Sequence, residues 1–211
     1  MNPVKQKYQN QANTIISALE KRNMKGYYFN TSEDAVSFIQ TFIQAKSSVS
    51  WGGSMTLHES GIIDAVNAMD LKRLDRDQAT TPAERHEIAR DALRANVFLT
   101  STNAITLDGK LVNIDGNGNR VAALIFGPDQ VLVVAGMNKV AVDEKTAVLR
   151  VQNIASPANT VRLKQNTPCA KTGKCHHCLV DDCICSHTVI TRRSNRPDRI
   201  HVILIGEELG Y

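Results

Sequence analysis

Aromatic residues are scarce in this chain: one Trp, four Tyr and five Phe among 211 residues. So few rings argue against the successive stacking platforms that grip single-stranded nucleic acid. No apolar run approaches the ~18 residues of a membrane span. The opening stretch MNPVKQKYQNQANTIISALEKR lacks the apolar centre of a secretory signal. The expected compartment is therefore the cytoplasm, with no membrane partner. Cysteine is absent before position 169, and the five that follow are an odd number. Reduced thiols are the rule in the cytosol, so a disulfide framework is not expected. Neither sign of charge dominates the first 160 residues, which carry 17 basic and 16 acidic side chains. The last 51 carry 8 and 5, with four arginines in TRRSNRPDR. That segment reads as a solvated loop between two strands, which leaves nucleic acid an unlikely partner. At this length the chain can bury a sizeable core, and one domain over residues 1–211 is expected. The composition leaves an oligomer open.

What the sequence does have is alternation of strands and helices. Tyr8, Ala12, Ile15, Ile16 and Leu19 are spaced for a helix within residues 1–25. GYYFN is a short strand. TSEDAVSFIQTFIQA begins with a capping Thr31 or Ser32 and with Glu33 and Asp34 at the positive end of a helix. SSVSWGGS is a strand running into a glycine turn, and TLHESGIIDAVNAM is the helix expected after it. TPAERHEIARDALRA is another helix. NVFLTSTNAITLDG is a strand ending in a polar loop. Val121–Phe126 and Val131–Ala135 are continuous apolar runs of the kind found in strands covered on both faces. Residues 143–155 and 157–163 are helical, and HTVITRR and RIHVILIG are two late strands. The expected fold class is α/β: a mostly parallel sheet flanked by helices, with a cysteine-rich insertion over residues 165–188.

Four polar turns fall at the ends of expected strands, where open α/β sheets bind ligands. In WGGSMTLHES, Gly53 allows close backbone approach and Ser54 and Thr56 offer hydroxyls at a helix start. Glu59 follows them as a candidate catalytic carboxylate. In STNAITLDG, Asn103 can orient a substrate, while Asp108 is either a ligand contact or half of an ordinary Asp-Gly hairpin turn. NIDGNGNR crowds more polar side chains than a turn requires. Asp115 is its candidate general base, Arg120 its candidate anion clamp, and Asn119 a further contact. In AGMNKV, Asn138 and Lys139 follow a buried strand, where they meet either ligand or solvent.

The stretches WGGSMTLHESG, TSTNAITLDGKLVNIDGNGNRVAALIFGP, VLVVAGMNKV, SPANTVRL, PCAKTGKCHHC and ILIGEELGY resemble the LUD (lactate-utilisation) domain family. The likeness is to its short bacterial and archaeal members and runs from about residue 10 to the C-terminus. It implies a fold like that of glucosamine-phosphate deaminase, ribose-phosphate isomerase and the coenzyme A transferases. It also implies an anionic ligand at the glycine–serine loop, and a link to iron–sulfur partner proteins of lactate oxidation. It implies no particular reaction.

The cysteines are spaced C-x5-C-x2-C-x4-C-x-C. Cys175 and Cys178 can grip a tetrahedral metal, with Cys169 and either Cys185 or Cys183 completing four thiolates for zinc or an iron–sulfur cluster, and His176 and His177 as alternative ligands. Packed, unliganded thiols and a redox switch are the alternatives. Two functions follow. One is a protein that binds a small anionic metabolite at its strand ends. The other is an accessory protein whose cysteine loop holds a metal or docks an iron–sulfur partner.

Overall fold

The structure, a computed structural model, describes residues 2–211. Helix α1 (Pro3–Glu20) opens on Asn2, whose side chain accepts from the Val4 N–H at 2.8 Å. Ala12, Ile15 and Leu19 recur at helical spacing and are buried. Strand β1 (Lys25–Phe29) leads to α2 (Ser32–Phe42), capped by Thr31. Strand β2 (Ser48–Trp51) is followed by α3 (Met55–Glu59) and α4 (Ile62–Asn67). The single helix expected there is thus two. Gly61 breaks it by taking φ +75°, a conformation that glycine adopts without steric cost. Strand β3 (Lys72–Leu74), a 3-10 turn (Arg76–Gln78) and α5 (Pro82–Asp91) come next.

Strand β4 (Val97–Ser101) does not simply end in a loop, because β5 (Ala104–Thr106) and β6 (Leu111–Asp115) follow as a hairpin. The run expected as a buried strand at Val121–Phe126 lies mostly in helix α6 (Asn119–Ile125). Val121 and Leu124, three apart, face inward, while Ile125 and Phe126 are exposed. A short apolar run has no period that separates helix from strand, and left-handed Gly118 at its start turns the chain into a helix. Then come β7 (Gln130–Gly136), a 3-10 turn (Met137–Lys139), β8 (Val140–Ala141), α7 (Glu144–Arg150) and, through a π turn, α8 (Ser156–Arg162). Short α9 (Pro168–Thr172), the cysteine loop, β9 (His187–Thr191) and β10 (Ile200–Ile205) complete the chain.

Six strands form a wholly parallel sheet in the order β1-β10-β7-β4-β2-β3. Its central strands are buried on both faces. Val131, Val133 and Ala135 pack with α1, whereas Leu132 and Val134 pack with Ile39, Leu57 and Ile62 on the other side. Each of these valines, leucines and isoleucines contributes about 1.5–3 kcal/mol of burial. A smaller sheet, β8-β5-β6-β9, is antiparallel except for the β5–β8 pair. It packs Val112 and Ile114 against Ala147, Val151 and Ala155. The α/β class and the mostly parallel sheet agree with the sequence. The two late strands part company: β10 is central in the large sheet, and β9 is at the edge of the small one. Among the described residues no helix is long and apolar enough to cross a membrane.

Candidate functional site

Strands β2, β4 and β7 are parallel, so their carboxyl ends lie side by side. The turns after them reach the same place as the turn after β6. Together they line one cleft of about 580 Å³, a size common for small-molecule sites. Gly53, Ser54, Thr56, Asn103, Asp115, Asn119, Arg120 and Lys139 all contribute to its wall. The cysteine loop adds Asp181, Cys183, Ile184 and Ser186 to the same wall. The Ser186 N–H donates to the Asp115 carbonyl at 3.0 Å, which joins loop and turn.

Lys139 is buried, with 4% of its surface exposed. Its Nζ donates to Thr56 Oγ1 at 2.7 Å and lies 3.0 Å from Ser101 Oγ. Burial, then the Arg150 and Arg120 charges, lower its pKa to about 7, against the opposing pull of Glu59. Arg76 is the second cation. Its guanidinium end lies in the space beside Gly53 that a Cβ would enter, so a side chain there would displace Arg76. Its Nε is buried without a hydrogen-bond partner, and burial lowers its pKa. Asp115 Oδ2 is likewise buried and unpartnered. Unpartnered polar atoms in a cleft wall suit a polar ligand, because each costs free energy while it stays unpaired.

Arg120 needs a different role from the anion clamp expected. Its Nε donates to Asp115 Oδ1 at 3.2 Å, and its Nη1 to the Ser101 carbonyl at 3.1 Å and Asn113 Oδ1 at 2.5 Å. Its Nη2 donates to Asn103 Oδ1 at 2.9 Å and the Ile114 carbonyl at 3.3 Å. A guanidinium has five N–H donors, so none is left for a ligand. Arg120 ties the turns together. Asn103 is held in the same knot, since its Oδ1 also accepts from the Ile114 N–H at 3.1 Å. Ser54 caps α3, accepting from the Leu57 N–H at 3.4 Å, which leaves its O–H free to donate.

Three expected site residues lie off the cleft wall. Glu59 accepts from the Gly210 N–H at 2.6 Å. Asn138 accepts from the Leu209 N–H and donates to the Gly210 carbonyl, both at 3.2 Å. These two fasten the C-terminal segment, which closes over Thr56 and Lys139. Asp108 belongs to the β5–β6 hairpin, where it pairs with Arg22 at 2.8 Å and Lys110 at 3.4 Å. That is its turn role and not a ligand contact.

The four-thiolate set of Cys169, Cys175, Cys178 and Cys185 is not assembled. Among the described residues no three His, Cys, Asp or Glu side chains are placed to hold a metal ion. Cys169 is buried against the hydroxyls of Thr167 at 3.2 Å and Thr160 at 3.5 Å, and Cys185 lies 3.4 Å from Ser156 Oγ. Burial raises the thiol pKa of Cys178 and of Cys185, the reverse of what a redox switch needs.

The model of the LUD domain family matches residues 12–205. The chain belongs to the LUD domain family. No curated protein matches this LUD domain. Among solved structures it is similar to a DUF162 family protein from Deinococcus radiodurans, with 15% identity, 96% of this chain and 98% of that one covered, and a TM-score of 0.49. It is similar over about half its length to ribose 5-phosphate isomerase from Plasmodium falciparum, with 11% identity, 53% and 52% covered, and a TM-score of 0.33. Likeness to eIF2B beta from Chaetomium thermophilum is of the same order, with 14% identity, 54% and 44% covered, and a TM-score of 0.35. These likenesses are too slight to say anything of this LUD domain's chemistry.

Cleft residues that the sequence did not single out include Arg76, Ser101, Asn159 and Arg162 of α8, and the tail residues Gly210 and Tyr211. Arg76 follows β3, a strand too short to show a period. Ser101 stands two positions before Asn103, and the polarity of STN at a strand end was its only signal.

Proposed function

We propose that this LUD domain binds a small anionic metabolite in the cleft at its strand ends. One observation carries the reading. Arg76 and Lys139 face the same cleft, and among the described residues neither has a carboxylate within ion-pair distance. Lys139 is buried and Arg76 half-buried; cations withdrawn from water are ordinarily paired, and an anionic ligand supplies the missing partner. Gly53 gives the ligand backbone access, and Thr56 and Ser101 supply hydroxyls. Arg76 takes over the anion contact first assigned to Arg120. The family's tie to lactate utilisation makes short carboxylates the first candidates.

Thermal unfolding with lactate, other short carboxylates and phosphate esters tests this. A ligand that binds only the native state raises Tm with concentration. Arg76→Ala removes one charge-assisted contact of about 1.5–3 kcal/mol, which weakens apparent affinity by about tenfold or more. A ligand whose shift is fully retained by Arg76→Ala binds elsewhere.

A further inference from the structure

We propose that Lys139 is a covalent amine: its Nζ adds to the keto carbon of a small 2-oxo carboxylate held in the cleft and forms an imine. The inference rests on the anion-binding reading and names the ligand class. Lys139 stands at the end of β7 on the cleft wall, held by Thr56 of α3 and Ser101 of β4. The charges that face it are Arg120 of α6, Arg150 of α7 and Glu59 of α3. Two of the three are cations, and Glu59 is turned to the Gly210 N–H. The surroundings therefore favour the free amine, which is the nucleophilic form. With its pKa near 7, about half of it is neutral at neutral pH.

The same surroundings argue against a simple proton acceptor. Proton uptake would leave a buried ammonium beside two guanidinium groups with no carboxylate partner. A neutral imine leaves no such charge. Should the imine protonate, a carboxylate on the adjacent carbon is its counter-ion, and the ligand brings it. This favours a 2-oxo acid over an uncharged aldehyde. The step balances without an oxidant or reductant. The nitrogen lone pair forms the C–N bond, and the carbonyl oxygen takes up a proton. Nitrogen then loses its protons as the oxygen leaves as water and C=N forms. The Thr56 and Ser101 hydroxyls at Nζ are placed to pass those protons.

Reductive trapping tests the proposal. The full chain is incubated with 2-oxobutyrate and cyanoborohydride, digested and mapped by mass spectrometry. Butanal (a carbonyl without an anion) and glyceraldehyde 3-phosphate (a phosphate source) run in parallel. 2-Hydroxybutyrate, an anion without a carbonyl, is scored by thermal shift. At pH 7 a lysine of pKa near 7 offers about a thousandfold more free amine than an ordinary one, so Lys139 should be labelled at least about tenfold over any other lysine despite its burial. Its labelling should rise with pH and level off above about 7. Lys139→Met should lose this adduct, but the site map on the parent chain decides the matter even if that variant misfolds. Even labelling of surface lysines, or an unmodified Lys139, overturns the proposal. Stabilisation by 2-hydroxybutyrate without trapping would overturn the imine and leave anion binding standing. Neither effect would overturn both. Equal labelling by butanal, or labelling by glyceraldehyde 3-phosphate alone, overturns the 2-oxo carboxylate as ligand.

Discussion

Arg120 and Arg76 illustrate how two arginines on one cleft take opposite roles. Arg120 is 9% exposed and donates five hydrogen bonds to β4, β6 and the turns that follow them. Arg76 makes no ion pair among the described residues and leaves its Nε unpartnered. Removing the first should damage the fold, and removing the second should damage only binding. Arg120→Met leaves Asp115 without its cation, while Asn103 Oδ1 and Asn113 Oδ1 each keep one backbone donor, the Ile114 and Asn103 N–H. The expected loss is about 3–5 kcal/mol, the cost of breaking a buried pair from one side. Urea unfolding measures it as a fall in midpoint. Were Arg120→Met as stable as the parent yet unable to respond to ligand, the anion-clamp role would have to be restored.

At the scale of elements, legibility followed period and punctuation. β7 was plain in the sequence because Val131–Ala135 has apolar residues on both faces, and both faces are covered. α2 was plain because Thr31 caps it and acidic residues follow. α6 was not, because VAALI offers no period and only Gly118 distinguishes it. The α3–α4 break was hidden for a similar reason: a single glycine within an apolar pattern is tolerated in many helices. All four polar turns reach the cleft, three of them after the parallel strands β2, β4 and β7 and one after β6, while Asp108 stands apart in its hairpin, paired with Arg22. Gly61 gives a direct check on the break. A Cβ there meets nothing within 4 Å, so Gly61→Ala reports the positive φ alone. The expected cost is about 1–2 kcal/mol. Gly127→Ala, at φ +129°, would also set its Cβ 2.7 Å from the Leu93 carbonyl oxygen and should cost distinctly more. No loss for Gly61→Ala in thermal or urea unfolding would mean that the α3–α4 junction is not held in the left-handed conformation.

For the whole molecule the C-terminal segment is a second joint between the two sheets, beside Arg120. It leaves β10 in the large sheet and crosses α3, where Thr56 Oγ1 donates to the Leu209 carbonyl at 3.1 Å. Leu209 itself is buried in the core on that side. The segment ends at α8, where the Tyr211 hydroxyl accepts from Arg162 Nε at 2.6 Å and donates to Asn159 at 3.2 Å. Helix α8 continues the π turn and α7 that cover the small sheet. Glu59 is the fastener midway, through the Gly210 N–H. This gives the carboxylate a test that separates holding from chemistry. Gln keeps a side-chain oxygen that can accept from Gly210, but it cannot act as a nucleophile or exchange a proton as a carboxylate does. Ala keeps neither property. If Glu59 fastens the segment, Glu59→Gln retains most of the ligand-dependent rise in Tm and most of the trapping at Lys139. Glu59→Ala should then lose ligand stabilisation together with about 0.5–1.5 kcal/mol of fold stability, as the exposed Gly210 N–H exchanges its partner for water. A Gln variant that folds and binds ligand but no longer reacts would instead place the Glu59 carboxylate in the reaction itself.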